Sequence, residues 1–316
     1  MGSETNNISC YIYKVNKDNK KDNRTNYYSV FDKTPFAQGA FRYCYKGEIM
    51  NKNGKCTNSE IFPSGKCVVK VFKKKVAHNL SDFEEDFKGI FYAMEVSKIF
   101  NSLYSYVLPE IHFMTPYATS LYKHSSFELF GFIPIRDDDS MKKIKENEWL
   151  AIEPFMEGNY KKYISNTCTY CSITDDDKAL SSFMHWNWVY SKGRTIVSDI
   201  QGIKKNNHYE LTDPAIQSIN NKFGLTDLGI LGLACFLIRH KHNEYCKDLP
   251  WPEEKEIQKI LKFQLPTQRT TLFIWNIIEI YQFEKGRDFI RQIYMDLIDS
   301  VFNKKKSKSK TRCLIF

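Results

Sequence analysis

Thr195-Ile196-Val197-Ser198-Asp199-Ile200-Gln201-Gly202, followed by Leu211-Thr212-Asp213-Pro214, the glycine-bounded run Gly224 to Gly229 and His240-Lys241-His242-Asn243-Glu244-Tyr245-Cys246, is the stretch around which the chain is organised. Thr195 to Ser198 is an apolar, β-branched run that delivers Asp199 at its end. Pro214 biases Asp213 toward extended backbone and away from helix. Acids fixed on strand ends suit metal and phosphate chemistry better than acids on mobile loops. Two acids and a glutamine come first, a glycine-bounded loop next, and clustered nitrogen and sulfur ligands last. That order indicates a phosphoryl-transfer site whose base is stapled by a metal.

Leu228 to His240 has the composition of a helix. His242 and Cys246 are four apart, so on a continuing helix they share one face. With His240, and with His185 from a predicted amphipathic helix over Ser181 to Trp188, they make four ligands, the number of a closed tetrahedral zinc site. The alternative is a His-rich helix end whose imidazoles complement the helix dipole. Cys168-Thr169-Tyr170-Cys171 is a CxxC without a second pair at finger-like spacing, so alone it is weak evidence for zinc or redox chemistry.

Upstream, Cys67-Val68-Val69-Lys70-Val71-Phe72 reads as a buried strand interrupted by one lysine. A buried unpaired charge is costly. Lys70 therefore either reaches an anionic ligand or lays its stem on an edge strand with its head in water. Phe36-Ala37-Gln38-Gly39-Ala40-Phe41-Arg42 places Gly39 where a strand can pass close to a ligand. Phe83 to Tyr104 has helical spacing, and Glu95 on it is either the partner of Lys70 or a solvated surface acid. Trp149 to Phe155 is apolar around Glu153. Met156-Glu157-Gly158 follows, where glycine gives a lobe connector freedom to bend.

The length, 316 residues, suits one large domain or two lobes. No apolar run is long enough to predict a transmembrane helix, and residues 1–26 lack the apolar core of a signal peptide. Nine scattered cysteines fit a reduced, intracellular protein better than a disulfide framework. The net charge is +9, but Lys304 to Arg312 holds six basic residues and no acid. The folded body is thus nearly balanced, which disfavours a nucleic-acid partner.

The ends read differently from the body. Residues 1–27 are Asn-, Lys- and Asp-rich and are expected to be disordered. Residues 253–303 form a helical extension of three short helices separated at Pro266 and Gly286, packed on the body or presented to a partner. Residues 304–316 end in Cys313-Leu314-Ile315-Phe316, a C-a-a-X pattern pointing to geranylgeranylation of Cys313. One lipid chain anchors marginally, and the basic run Lys304 to Arg312 adds roughly 1 kcal/mol per residue at an anionic leaflet. The competing reading is a basic tail or nuclear-type signal. The expected location is cytoplasmic and membrane-associated, at the cytoplasmic leaflet.

Taken together the motifs resemble the atypical alpha-kinase family. The resemblance spans about residues 28 to 252. It is carried in order by Pro35 to Arg42, Val68-Val69-Lys70-Val71, Ala93 to Asn101, Glu157-Gly158-Asn159-Tyr160-Lys161-Lys162-Tyr163, His185, Asp199-Ile200-Gln201-Gly202, Leu211 to Pro214, Gly224 to Gly229 and the ligand cluster. It implies a two-lobed, protein-kinase-like α+β fold, with an N-lobe over about 28–150, a C-lobe over about 151–252, and ATP bound. By the family pattern Lys70 and Arg42 face the phosphates, with Gly39 in the nucleotide loop and Glu95 as the lysine's partner. Glu153, Phe155 and Met156 form the hinge against adenine. Asp199 is the catalytic acid, and Gln201 and Asp213 hold Mg²⁺. The loop bearing Gly224, Asp227 and Gly229 faces nucleotide or substrate, and His185, His240, His242 and Cys246 hold a structural Zn²⁺. The resemblance implies a Ser/Thr protein kinase acting on a protein substrate. The rivals are a non-catalytic ATP-binding scaffold at the membrane and a zinc-containing nucleic-acid module. The chain departs from the pattern at His242, where the family has Cys, at Cys168 (Gly), at Ile164 (Asn) and at Asp227 (Asn). The last places an extra negative charge near phosphates and is the feature that favours the scaffold.

Overall fold

The computed structural model describes residues 8–15, 21–32, 34–39, 42–51, 53, 55–59, 62–73, 80–115, 117–121, 149–174, 177–261 and 277–303. The strands are β1 (Ile8–Val15), β2 (Lys21–Phe31), β3 (Ala37–Gln38), β4 (Arg42–Asn51), β5 (Lys66–Phe72), β6 (Glu110–Phe113), β7 (Tyr117–Leu121), β8 (Trp149–Pro154), β9 (Lys161–Lys162), β10 (Thr195–Ser198), β11 (Gln201–Lys205), β12 (His208–Thr212) and β13 (Ala215–Ser218). The helices are α1 (Leu80–Tyr104), α2 (Lys178–Tyr190), α3 (Ile230–Arg239), α4 (Glu254–Leu261) and α5 (Ile277–Phe302). They group into two units. The first comprises Met1–Tyr163, Asp199–Ile216 and Lys222–Thr226, and the second comprises Ile164–Ser198, Gln217–Asn221 and Asp227–Phe316.

In the first unit seven strands run in the order β2-β1-β7-β8-β5-β4-β3, and a further pairing of β2 with β4 closes the sheet on itself. Closure removes the unpaired edges that an open sheet would present. Alternation along the strands divides the side chains. Phe31, Tyr43, Tyr45, Ile49, Phe62, Cys67, Val69, Val71, Leu150 and Ile152 form one buried cluster. The opposite set of β5, β7 and β8, namely Phe72, Ala118 and Ala151, packs against Phe87 and Ile90 of α1. Gly47 sits where β4 pairs with both β2 and β5. A Cβ there would lie 2.8 Å from the Val30 carbonyl oxygen and 2.9 Å from Cys67 Sγ, so the closure requires glycine.

A second sheet in this unit runs β6-β12-β11-β9, with β6 parallel to β12. The side chain of Asn101 near the end of α1 ties helix to sheet. It donates to the Ile111 carbonyl and accepts from the Ile111 amide, both at 2.9 Å.

The second unit is built around α2, whose residues Ala179 to Trp188 are all buried. The helix is buried on every side, Ser181, Ser182, His185 and Asn187 included, so the amphipathic expectation for Ser181 to Trp188 is corrected. α5 docks in the same unit. Trp188 Nε1 donates to Tyr294 Oη at 2.8 Å, Tyr294 Oη donates to the Gly193 carbonyl at 2.8 Å, and Phe302 lies 5.1 Å from the Trp188 ring.

Several expectations change here. Residues 8–15 and 21–27 were expected to be disordered, but they form β1 and part of β2. β1 is itself mostly apolar and gains backbone partners on both sides, including β7 about a hundred residues away. The boundary near residue 150 moves to Tyr163, because β8 pairs with β5 and β7 and so completes the first sheet. α5 runs through Gly286 without a break, since one interior glycine costs a helix only about 1 kcal/mol. Residues 304–316, with Cys313, lie outside the described residues. Among the described residues no helix is long and apolar enough to cross a membrane.

Candidate functional site

The first unit gathers charge on one face. Residues i and i+2 share a face of a strand, so Arg42 and Cys44 on β4 point the same way. Cys44 is opposite Lys70 on β5, and Lys70 is opposite Ala151 on β8. Glu153, two residues past Ala151, therefore lies diagonal to Lys70. Lys70 is 4% exposed, and its Nζ lies 2.7 Å from Glu153 Oε2 and 2.7 Å from Asp213 Oδ2. It also donates to Thr212 Oγ1 at 2.8 Å, and Thr212 in turn donates to the Glu153 carboxylate. Arg42 Nη1 reaches Asp213 Oδ1 at 3.2 Å, with its guanidinium 4.5 Å above the Phe72 ring.

Electrostatics follow from this packing. Burial alone would push the Lys70 amine down, but the Asp213 and Glu153 carboxylates outweigh it and hold the ammonium above the ordinary lysine range. Asp213 is held low: burial opposes ionisation, and Lys70 and Arg42 overcome it. Burial raises Glu153 despite Lys70. Burial also pushes the Cys44 thiol up to about 11, so it stays neutral and unreactive beside the lysine.

The partner expected for Lys70 is corrected: Glu95 is exposed on α1. The carboxylates on Lys70 are Glu153, whose side chain joins the buried charge network, and Asp213. Phe155 and Met156 do lie in the half-buried segment after β8. The Phe155 amide donates to the Lys66 carbonyl at 3.1 Å, and its ring packs 6.4 Å from that of Phe36. Gly39 turns the short β3–β4 hairpin, its amide donating to the Arg42 carbonyl at 2.8 Å.

Asp199 and Asp213 share an unusual backbone, with φ of 54° and 46°, so the extended conformation expected of Asp213 before Pro214 is corrected to a left-handed one. Left-handed non-glycine residues cluster at functional sites, where the surroundings over-determine a strained conformation. Lys162 Nζ lies 2.6 Å from Asp199 Oδ1, and Gln201 Nε2 donates to Asp199 Oδ2 at 3.3 Å. Gly202, at φ 148°, allows this turn to pass against β12, where a Cβ would come within 2.1 Å of the Glu210 carbonyl oxygen. Lys162 and Thr212 are site residues that the sequence reading did not single out. The signal for Lys162 was an adjacent lysine pair in a short segment after Gly158, which local composition presents as solvated surface.

In the second unit the carboxylate of Asp227 turns into its own loop. Oδ1 accepts from the Ser218 amide at 2.9 Å and the Gly229 amide at 2.8 Å, and Oδ2 accepts from the Ser218 hydroxyl at 2.6 Å. Asp227 is 6% exposed. Through Ser218 and Gly229 it ties down the segment where α3 begins. Gly224 and Gly229 both take positive φ.

The same unit brings together His185, His240, His242 and Cys246, whose ligand atoms all lie within 4.8 Å of one another. α3 ends at Arg239, and His240 is extended at φ −63°, ψ 133°. The expectation of a continuing helix through Cys246 is therefore replaced by a turn. The residues fit a metal. His240 Nε2 and Cys246 Sγ are 3.6 Å apart, the separation that Zn–N of about 2.0–2.1 Å and Zn–S of about 2.3 Å give on a tetrahedron. His185 Nε2 is 3.0 Å from the Pro250 carbonyl, while its buried Nδ1 has no hydrogen-bond partner. The Asn243 amide donates to Cys246 Sγ at 3.4 Å. Burial pushes His185 down to about 4 and His240 down to about 2, leaving both imidazoles neutral. Cys235, the alternative ligand, stays buried within α3. Cys168 is buried at φ 58°, and Cys171 is exposed with its Sγ on the Thr169 carbonyl. Neither belongs to the group.

The model of the alpha-kinase family matches residues 37–246, and the chain belongs to that family. The alpha-protein kinase vwkA of Dictyostelium discoideum is 42% identical over 113 residues, covering 34% of this chain and 17% of that protein. Myosin heavy chain kinase B of the same organism is 28% identical over 216 residues, covering 68% of this chain and 24% of that protein. The chain thus spans a quarter or less of the length of these relatives. Among solved structures, a C-terminally truncated alpha-kinase domain of myosin heavy chain kinase superposes with a TM-score of 0.59 at 22% identity, covering 77% of this chain and 98% of that one. An alpha kinase from Entamoeba histolytica gives 0.56 at 24% identity, covering 78% and 93%.

Proposed function

We propose that the protein is a Mg-ATP-dependent protein kinase that transfers phosphate to Ser or Thr of a protein substrate. The observation that carries this reading is Lys70, buried and bridging Glu153 and Asp213, in the same unit as an Asp199 paired with Lys162. Phosphoryl transfer asks mainly for positioning and for positive charge around the transferring group. Lys70 and Arg42 supply that charge to the nucleotide phosphates. Asp213 and Gln201 offer carboxylate and amide oxygens, hard donors suited to Mg²⁺. When bound, Mg²⁺ neutralises charge on the phosphates. Asp199 orients the acceptor hydroxyl and accepts its proton. Lys162 holds the Asp199 carboxylate in place and keeps its charge balanced. Glu153 and Thr212 fix the Lys70 ammonium and would keep it held with Asp213 engaged by Mg²⁺.

His185, His240, His242 and Cys246 would hold one structural Zn²⁺ that braces the second unit. Cys313, in the pattern Cys313-Leu314-Ile315-Phe316, is the proposed prenylation site, and Lys304 to Arg312 the electrostatic contact with an anionic leaflet. Asp227, the feature that favoured a scaffold, is bound within its own loop, which leaves the kinase reading favoured.

The test is transfer of labelled γ-phosphate from ATP to a generic basic protein by the full-length chain, beside Lys70→Ala, with the labelled residue type identified after hydrolysis. Label on Ser or Thr that disappears in the variant supports the proposal. ATP binding without transfer by the native chain would select the scaffold. For the tether, a Cys313→Ser chain that stayed on membranes as well as the native one would remove the lipid assignment.

A further inference from the structure

The isolated CxxC motif contributes to the metal-ligand group through a residue between its cysteines. Tyr170 Oη lies 3.3 Å from His240 Nδ1, and the Lys241 amide donates to the same oxygen at 3.2 Å. His240 turns its other nitrogen, Nε2, toward Cys246 Sγ. The phenol comes from a tightly tied loop. Tyr170 pairs with Ile164 in a β-bridge. Ser165 and Thr169 exchange bonds, with the Ser165 amide on the Thr169 carbonyl at 2.9 Å and the Thr169 amide on Ser165 Oγ at 3.0 Å. Arg239 Nη1 donates to the Thr167 carbonyl at 2.6 Å. Cys168, at φ 58°, makes the turn that presents Tyr170.

We propose that Tyr170 is the positioning residue of His240: its hydroxyl oxygen accepts the Nδ1 proton, which fixes the tautomer that leaves Nε2 free to bind a metal. This rests on the zinc reading of the same group and assigns it an outer-shell partner. A metal-bound histidine commonly donates its second ring nitrogen to such a partner, which fixes ring orientation and raises ligand basicity. His185 has its equivalent in the Pro250 carbonyl and Cys246 in the Asn243 amide. Tyr170 completes the set for His240 and ties the metal group to the loop Ile164 to Tyr170. That loop in turn holds Ser198 and Gln217 through Asn166.

The experiment measures zinc affinity of the full-length native chain and of Tyr170→Phe by competition with a chromophoric chelator, with far-UV circular dichroism confirming the fold. The expected result is one zinc per native chain and a roughly 10- to 100-fold weaker affinity in Tyr170→Phe, which keeps the ring's packing and removes the hydroxyl. Equal affinity in the two proteins would overturn the role of Tyr170 and leave the zinc reading standing. A native chain that takes up no zinc would overturn both. Should Tyr170→Phe fail to fold, nitrogen NMR of the zinc-loaded native chain decides: a proton on His240 Nδ1 supports the proposal, and a proton on Nε2 refutes it.

Discussion

Lys162 Nζ lies 2.6 Å from Asp199 Oδ1, delivered from β9 to the acid that follows β10. β9 is two residues long and pairs with β11 at Gln201 and Gly202, so a minimal strand fixes the lysine against the site. Lys162→Ala should lower kcat by about 10²-fold, the scale of losing one preorganised electrostatic donor. KM for ATP should change little, because Lys70 and Arg42 are the residues assigned to the phosphates. Steady-state kinetics decide it: a large rise in KM with unchanged kcat would assign Lys162 to nucleotide binding.

Glu153 and Glu95 make opposite predictions. Glu153→Gln replaces an acceptor of Lys70 and Thr212 by an amide that turns a donor toward one of them, and should cost about 1–3 kcal/mol, the range for an unsatisfied buried group, since Asp213 still faces Lys70. Glu95→Gln, on an exposed face, should leave the urea midpoint unchanged. A reversed order would restore the helix-borne partner that sequence spacing suggested.

The acid limb of stability should report Asp213. Its carboxyl is lowered in the folded chain, so its contribution is present above the unfolded value of about 3.9 and is lost as pH falls toward the folded value. Glu153 is raised and works the other way, favouring the fold as it takes up a proton above about pH 4.3. Asp213→Asn should therefore flatten the loss of stability below about pH 4, measured by urea unfolding across pH. An acid limb as steep as the native one would contradict the assignment.

Asp227→Asn should destabilise without activating. The carboxylate accepts two amides and one hydroxyl, and an amide side chain presents a donor where one oxygen was. The expected cost is about 1–3 kcal/mol, seen in thermal unfolding. A more active, equally stable Asp227→Asn protein would show that the charge acts on substrate handling after all.

Much of the site was legible because its residues break their local pattern. Lys70 interrupts a β-branched run, Asp213 precedes a proline, and the His and Cys residues of the candidate metal group crowd after an apolar helix. What was not legible depended on distant register. Lys70 and Glu153 are 83 residues apart, and their meeting follows from how β5 pairs with β8, which no local periodicity encodes. The contacts of Asp227 were hidden for a related reason: its type suggested charge, and its hydrogen bonds to Ser218 and Gly229 depend on how the chain folds back there. β1 and the first residues of β2 were missed because residues 1–27 were weighed as one Asn-, Lys- and Asp-rich segment, which hid the mostly apolar run Ile8 to Val15 inside it. α5 was divided at Gly286 because a glycine was weighed as a stop, whereas the helix is held beyond it by Tyr294, bonded to Trp188 and Gly193.

The most direct test of the central claim separates binding from transfer at Asp199. Mg-ATP affinity and the single-turnover rate of γ-phosphate transfer would be measured on the native full-length chain and on Asp199→Asn. The account predicts nearly native nucleotide affinity and a transfer rate lower by several orders of magnitude, because Asp199 acts on the acceptor hydroxyl while Lys70, Arg42 and Asp213 serve the nucleotide. A variant that transferred phosphate at a rate close to the native one would contradict it.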